Sequence, residues 1–287
     1  MKHADIEAFY QTAYNEEGRM ERNPLEFIRC KEIISRYLYG EPMEIADIGG
    51  AAGVFSYWLA AQGHRMHLLD FTPLHIEQAK KKGKTLGITL ASYHCADARS
   101  LPFAHGSLDM ALLMGPLYHL QDKTNRLQCL SEAMRVLKPG GILLCEAISR
   151  YASLVDGFKQ SEIEDPKLVE IVDRDLATGR HDPGDTAYFT TAFLHTPGEL
   201  EAEVALAGFK NIELIAVEGF ANAMDSHAIL KNKKQRELLL EYIRRTEGVP
   251  ELMGISGHFI AIASTPSVAR GDNSPKGEPG GRNVAAR

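Results

Sequence analysis

The chain has 287 residues, 44% hydrophobic and 24% charged, an ordinary globular mixture and long enough to bury a core without disulfides or metals in its place. Its 32 lysines and arginines against 38 aspartates and glutamates leave a net charge of −6. That balance offers no field for holding polyphosphate and argues against a nucleic-acid polymer as the main partner.

Residues 1–40 read as a helical lid, with Tyr10 and Tyr14 on an amphipathic stretch placed to close over a ligand or to pack on the core. Residues 43–48 read as a strand running into Gly49-Gly50-Ala51-Ala52-Gly53. A helix follows with Val54, Trp58, Leu59 and Ala61 as core positions and Gly63 as its stop. A second strand, 65–69, has Asp70 at its carboxyl end, and Pro73 opens a helix reaching the lysines at 80–82. Strands at 90–94 and 108–114 come next, then an amphipathic helix at 125–137 stopped by Lys138-Pro139-Gly140-Gly141 and a strand at 142–145.

The alternation lapses over 149–196, where Tyr151, Phe158, Tyr188, Phe189 and Phe193 are scattered among charges. This segment is expected to be an inserted cap whose aromatic residues line an acceptor pocket or hold the cap to the sheet. A helix at 197–206, a strand at 212–217, a helix at 232–245 and a strand at 258–263 complete the core. The glycine- and proline-rich stretch 265–287 has too few apolar side chains to pack and is expected to be disordered.

Strands separated by helices imply right-handed βαβ units. The expected fold is therefore α/β: a doubly wound, Rossmann-like, mostly parallel seven-stranded sheet with helices on both faces and an inserted cap. Residues 41–148 would form a ligand-binding core and 197–264 the remainder of the sheet. In such sheets ligands bind outside the carboxyl ends of the strands.

The first of these ends carries Asp47-Ile48-Gly49-Gly50-Ala51-Ala52-Gly53, the pattern D-x-G-x-A-x-G. It lacks the glycine spacing of a dinucleotide loop, and its acid would repel a pyrophosphate but suits a ligand with an ammonium group. Asp70 lies 23 residues on, where a carboxylate can accept both hydroxyls of a ribose, and Asp97 follows the third strand, where one can accept from an adenine amino group. Each acid alone is an ordinary loop residue; three after successive strands form a pattern.

The stretches ADIGGAAG, HLLDFTPLHIEQA, CADARSLPFAHGSLDMALLMGPLYHL and RVLKPGG cover roughly residues 43–148. In this order they resemble the class I S-adenosylmethionine-dependent methyltransferases, particularly the small-molecule, ubiquinone-methyltransferase-like branch. The resemblance implies S-adenosyl-L-methionine as cofactor. Asp47, Gly49, Gly50, Ala51 and Gly53 would surround its methionine part, with Ala51 standing where the family has a glycine. Asp70 would hold the ribose, Phe71 would pack on the adenine, Asp97 and Ala98 would read the adenine edge, and Met114 would lie by the transferred methyl.

Methyl transfer from a sulfonium is an in-line displacement that depends on alignment and a dry site; a base is needed only where the acceptor loses a proton. His119 is the leading candidate for that base or for orienting the acceptor, the alternative being a turn cap or packing on the cofactor. His195 is the second. Tyr118, Tyr188 and Phe189, with Tyr10 and Tyr14, are candidate acceptor contacts.

Gly115-Pro116-Leu117-Tyr118 lacks the polar residue that amino methyltransferases of DNA bases use, and no catechol-type acidic metal ligands follow the fourth strand, so no metal is expected. Cys30, Cys95, Cys129 and Cys145 show no paired spacing, no apolar run approaches the ~18–20 residues that cross a bilayer, and no export signal is visible. A cytoplasmic protein with reduced thiols and no membrane contact is expected. The reading is methyl transfer to an O, N or C atom of a small molecule; an RNA or protein methyltransferase and an inactive cofactor-binding scaffold are the alternatives. Composition leaves the acceptor and the oligomeric state open.

Overall fold

The computed structural model describes residues 23–184 and 188–267. Seven strands form one sheet: β1 (Glu44–Ile48), β2 (Arg65–Asp70), β3 (Ser92–Cys95), β4 (Leu108–Leu113), β5 (Leu137–Ile148) and, after a two-stranded ribbon of β6 (Arg180–His181) and β7 (Ala192–Phe193), β8 (Lys210–Ala216) and β9 (His258–Ser264). Their order is β3-β2-β1-β4-β5-β9-β8. The first five pair in parallel, and β9 lies antiparallel to both of its neighbours. The doubly wound seven-stranded sheet expected from the alternation is the one observed.

Successive strand residues point to opposite faces, so each buried strand feeds two cores. Ala111 and Leu113 join Leu130, Ala133 and Val204 under the helices Lys123–Val136 and Pro197–Leu206. Met110 and Leu112 join Ile33, Leu59 and Ile76 under Pro24–Ser35, Val54–Ala60 and Pro73–Leu86. Both faces being covered explains why β4 and β5 read as continuous apolar runs rather than alternating ones.

Several local expectations change. In the helix after the glycine loop, Ser56 and Tyr57 are buried, Trp58 is half-buried beneath the Lys31 ammonium, and Ala61 is exposed. The cause is Asp47, whose Oδ2 accepts the Ser56 hydroxyl at 2.7 Å and its backbone N–H at 3.2 Å, turning that small polar side chain inward. The Pro139-Gly140-Gly141 stop lies inside a twelve-residue β5, because the helix passes at Val136 straight into the strand.

The segment 149–196 is structured as two helices, Ala152–Lys159 and Pro166–Thr178, followed by the β6–β7 ribbon. Arg150 ties it to the sheet, donating from Nε to the Leu194 carbonyl at 2.8 Å and pairing with Glu199 at 2.6 Å. No described helix is long and apolar enough to cross a membrane.

Candidate active site

The parallel strands deliver their carboxyl ends to one edge, and a cavity opens there. Its walls include Asp47, Gly49, Gly50 and Ala51 after β1, Asp70 and Phe71 after β2, Asp97, Ala98 and Arg99 after β3, and Met114, Gly115, Pro116, Tyr118 and His119 after β4. Sequence reasoning placed most of these together.

The loop after β1 is built for close approach. Gly49 has φ +73°, and a Cβ there would fall 2.4 Å from Pro116 Cγ; one on Gly50 would fall 2.4 Å from Asp47 Cγ. Gly49 N–H donates to the Leu69 carbonyl at 2.7 Å, pinning the loop to β2. Gly53, expected at the ligand, is not a wall residue: at φ +79° it turns the chain into the helix Val54–Ala60.

Asp70 is buried and already organised. Its Oδ2 accepts Ala51 N–H at 2.9 Å, and its Oδ1 accepts Thr72 N–H at 2.8 Å and His75 Nδ1–H at 3.0 Å. A carboxylate offers roughly four acceptor sites, and these three donors hold it in place at the cavity wall. His75 was not anticipated; its place on the first turn of Pro73–Leu86 aims it back at the strand end.

Asp97 also departs from expectation. Arg99 clasps its carboxylate, Nε and Nη2 reaching its two oxygens at 3.0 and 2.6 Å, and the Arg99 N–H adds a bond of 2.8 Å. That pairing raises the Arg99 pKa from its ordinary value against the opposing effect of burial. The arginine, anchored through Nη1 to Asn125 at 3.1 Å, shares the cavity wall with Asp97 and Ala98, to which sequence reasoning gave the adenine edge.

After β4 the chain makes an unanticipated short helix, Pro116–His119. His119 is half-buried on the cavity wall, with Nδ1 3.5 Å from the Thr191 carbonyl and its ring 4.7 Å from Tyr118 and 5.9 Å from Phe189. Tyr118 also walls a second, larger cavity, together with Tyr188 and Phe189.

His195 lies elsewhere. It is fully buried, borders neither of these two cavities, and packs on Phe193 with Nε2 3.4 Å from Glu203 Oε2. Burial lowers its pKa despite Glu203. Its neighbours make it a part of the core rather than a reacting group. Tyr151 and Phe158 are exposed and Phe193 is covered by the Arg126 guanidinium, so none of the three lines either cavity. Tyr10 and Tyr14 lie outside the described residues.

Two buried acids on the wall were also missed. Glu26, from the helix Pro24–Ser35, and Glu146, from β5, are both buried at this cavity. An acid in the middle of the apolar run Leu143-Leu144-Cys145-Glu146-Ala147-Ile148 was the available signal for the second. Cys30 donates to Glu146 Oε1 at 3.5 Å. Burial, together with Glu146, Glu26 and Glu218, pushes that thiol well above its usual range, so it is no nucleophile at neutral pH.

The walls suit a nucleoside sulfonium that carries an amino acid. Asp70 has room to accept from a hydroxyl, Phe71 is exposed, and Gly50 lies against the buried acid Asp47, with the buried Glu26 on the same wall. Comparison with known proteins agrees: residues 46–145 match the family model described as a methyltransferase domain. The demethylmenaquinone methyltransferase of Protochlamydia amoebophila is 31% identical over 161 residues, 53% of this chain and 62% of that protein. A ubiquinone biosynthesis O-methyltransferase of Cereibacter sphaeroides is 30% identical over 110 residues, 38% of this chain and 43% of that protein. The chain thus spans 62% and 43% of the length of these two curated relatives, under two thirds of each.

Among solved structures, an S-adenosylmethionine-dependent methyltransferase from Methanosarcina mazei aligns with a TM-score of 0.56 at 20% identity, covering 82% of this chain and 98% of that one. Phosphoethanolamine N-methyltransferase 2 of Haemonchus contortus, in complex with S-adenosyl-L-methionine, aligns with a TM-score of 0.57 at 14% identity, covering 90% and 59%. These likenesses concern the fold. Residues 46–145 thus carry a methyltransferase domain.

Proposed function

We propose that this protein transfers the methyl group of S-adenosylmethionine to a small-molecule acceptor. The observation that carries the reading is Tyr118, which walls the strand-end cavity on one side and the second cavity on the other. A donor bound over β1 and β2 would thereby meet an acceptor across the segment after β4.

When bound, the cofactor supplies an electrophilic methyl on a sulfonium. The chain's own contribution is position and enclosure. Asp70, fixed by three donors, would hold the ribose, and Phe71 would cover the base. The close approach of Pro116 to Gly49 sets how far the β4 segment stands from the donor. His119, held between Tyr118 and Phe189, would orient the acceptor and take its proton where one leaves. Most of the acceleration comes from alignment in a site closed to water.

The test is calorimetric titration with S-adenosylhomocysteine. Native protein is expected to bind in the micromolar range and Asp70→Ala at least tenfold more weakly, as loss of a charge-assisted hydrogen bond of about 1.5–3 kcal/mol requires. No binding by native protein overturns the reading. His119→Ala is expected to reduce turnover far more than affinity for S-adenosylhomocysteine; equal losses would make it a cofactor-positioning residue. Tight binding with no methyl passed to any acceptor pool would identify a scaffold instead of an enzyme.

A further inference from the structure

The second cavity has a volume of about 850 Å³, within the range of roughly 300–1,000 Å³ typical of small-molecule sites. The cap helices, the turn after β8 and the first residue of β9 enclose it, and it shares Glu26 and Tyr118 with the strand-end cavity. Its lining is charged: five carboxylates against two lysines, Lys159 and Lys167, and the His258 imidazolium.

One corner of it gathers Glu26, Glu218 and His258. Glu218 Oε1 accepts His258 Nδ1–H at 2.8 Å, while its Oε2 accepts the Ser256 hydroxyl and the His258 N–H, both at 2.9 Å. Ligand-type atoms of Glu26, Glu218 and His258 all lie within 4.8 Å of one another. Tyr118 and Phe189, with ring centroids 6.5 Å apart, wall the same cavity. Fixed carboxylates beside aromatic faces attract organic cations through charge-assisted hydrogen bonds and cation–π contact. A long apolar tail would instead strip water from those carboxylates and lysines without replacing their hydrogen bonds.

Building on the methyl-transfer reading, we propose that this cavity is the acceptor chamber and that it selects a small polar amine, docked as its ammonium against Glu26 and Glu218 beside Tyr118 and Phe189. The docked ammonium gives a proton to the His119 imidazole, which packs against both of those rings. The freed nitrogen lone pair attacks the methyl carbon; the N–C bond forms as the C–S bond breaks, and sulfur keeps that electron pair. The products are an N-methylammonium and S-adenosylhomocysteine, and His119 releases its proton to solvent.

The experiment is a labelled-methyl assay with the full chain, using a panel of small aliphatic and aromatic amines beside a panel of simple and prenylated hydroquinones. Expected are N-methylated products identified by mass spectrometry, no transfer to hydroquinones, and the same rates in EDTA. Glu218→Gln is expected to lower kcat/KM for the amine at least a hundredfold, with affinity for S-adenosylhomocysteine within threefold of native. Glu26→Gln gives a second measure of the loss should Glu218→Gln fail to fold. Transfer to hydroquinones alone, transfer to no amine by a protein that binds S-adenosylhomocysteine, undiminished transfer by both variants, or loss of activity in EDTA restored by a divalent metal would each overturn the proposal. Failure of native protein to bind S-adenosylhomocysteine would overturn the methyl-transfer reading itself.

Discussion

Ala51 carries a side chain at φ +45°, a conformation that costs an L-residue roughly 1–2 kcal/mol and glycine nothing comparable. Ala51→Gly is therefore expected to raise stability by up to about 1 kcal/mol in urea unfolding, the greater freedom of glycine in the unfolded chain offsetting the rest. A loss of stability would show that the Ala51 side chain makes a contact worth more than the strain. The same loop shows what spacing can and cannot reveal. Asp47, Asp70 and Asp97 were legible because an acid after each of three strands follows from strand order alone. Their partners Ser56, His75 and Arg99 were not, since the direction of a neighbouring side chain depends on the turn that carries it. This is why Asp97 was assigned wholly to a ligand, whereas the structure divides it with Arg99.

Buried ion pairs join the outer helices to one another and the strand ends to the turns beyond them. Arg126 on Lys123–Val136 pairs with Glu203 on Pro197–Leu206 at 2.7 Å, both nearly inaccessible to solvent. Burial opposes ionisation of Glu203, but Arg126 and His195 outweigh it and hold its pKa at about 2. A carboxylate depressed on folding stabilises fully above its unfolded value of 4.5, and that contribution is lost as pH falls toward 2. Glu203→Gln leaves a buried guanidinium unmatched and is expected to cost about 3–5 kcal/mol, with a correspondingly shallower acid transition in circular dichroism. The opposite sign holds at β9. Burial disfavours the His258 imidazolium, but Glu26, Glu218 and Glu146 outweigh it and push its pKa to about 10. Its contribution is complete below 6.5 and is lost as pH rises through 10, so the urea midpoint is expected to fall over that window in native protein and not in His258→Asn. Gly179 ends a cap helix at φ +71°, where a Cβ would meet the Arg150 guanidinium at 2.5 Å and the Leu194 carbonyl at 2.6 Å. Gly179→Ala is expected to cost about 2–4 kcal/mol in thermal unfolding. The cap helices were passed over in the stretch 149–196 although Leu168, Ile171, Val172 and Asp175 follow the i, i+3, i+4, i+7 spacing of a buried helical face, the last of them an acid.

At the scale of the whole molecule the sheet was the most legible part, since strand and helix alternation constrains handedness and layer order without any knowledge of side-chain partners. Donor binding should register across that sheet. At a hundredfold excess over Kd, S-adenosylhomocysteine is expected to add about 2.7 kcal/mol to stability, read as a rise of several degrees in Tm for native protein and a smaller one for Asp70→Ala at the same concentration. The antiparallel turn of β9 has a different consequence. It brings His258 beside Ile148, at the edge where the parallel strands end, so residues more than 200 positions from Asp47 reach the same end of the sheet. The donor side is mostly drawn from 47–125, and most of the second cavity comes from outside the 46–145 stretch that the family shares. A protein divided in this way is free to change its clientele while keeping its reagent. Randomising exposed cap positions such as Lys159, Gln160 and Glu162 is expected to shift acceptor preference across a library while affinity for S-adenosylhomocysteine stays near native.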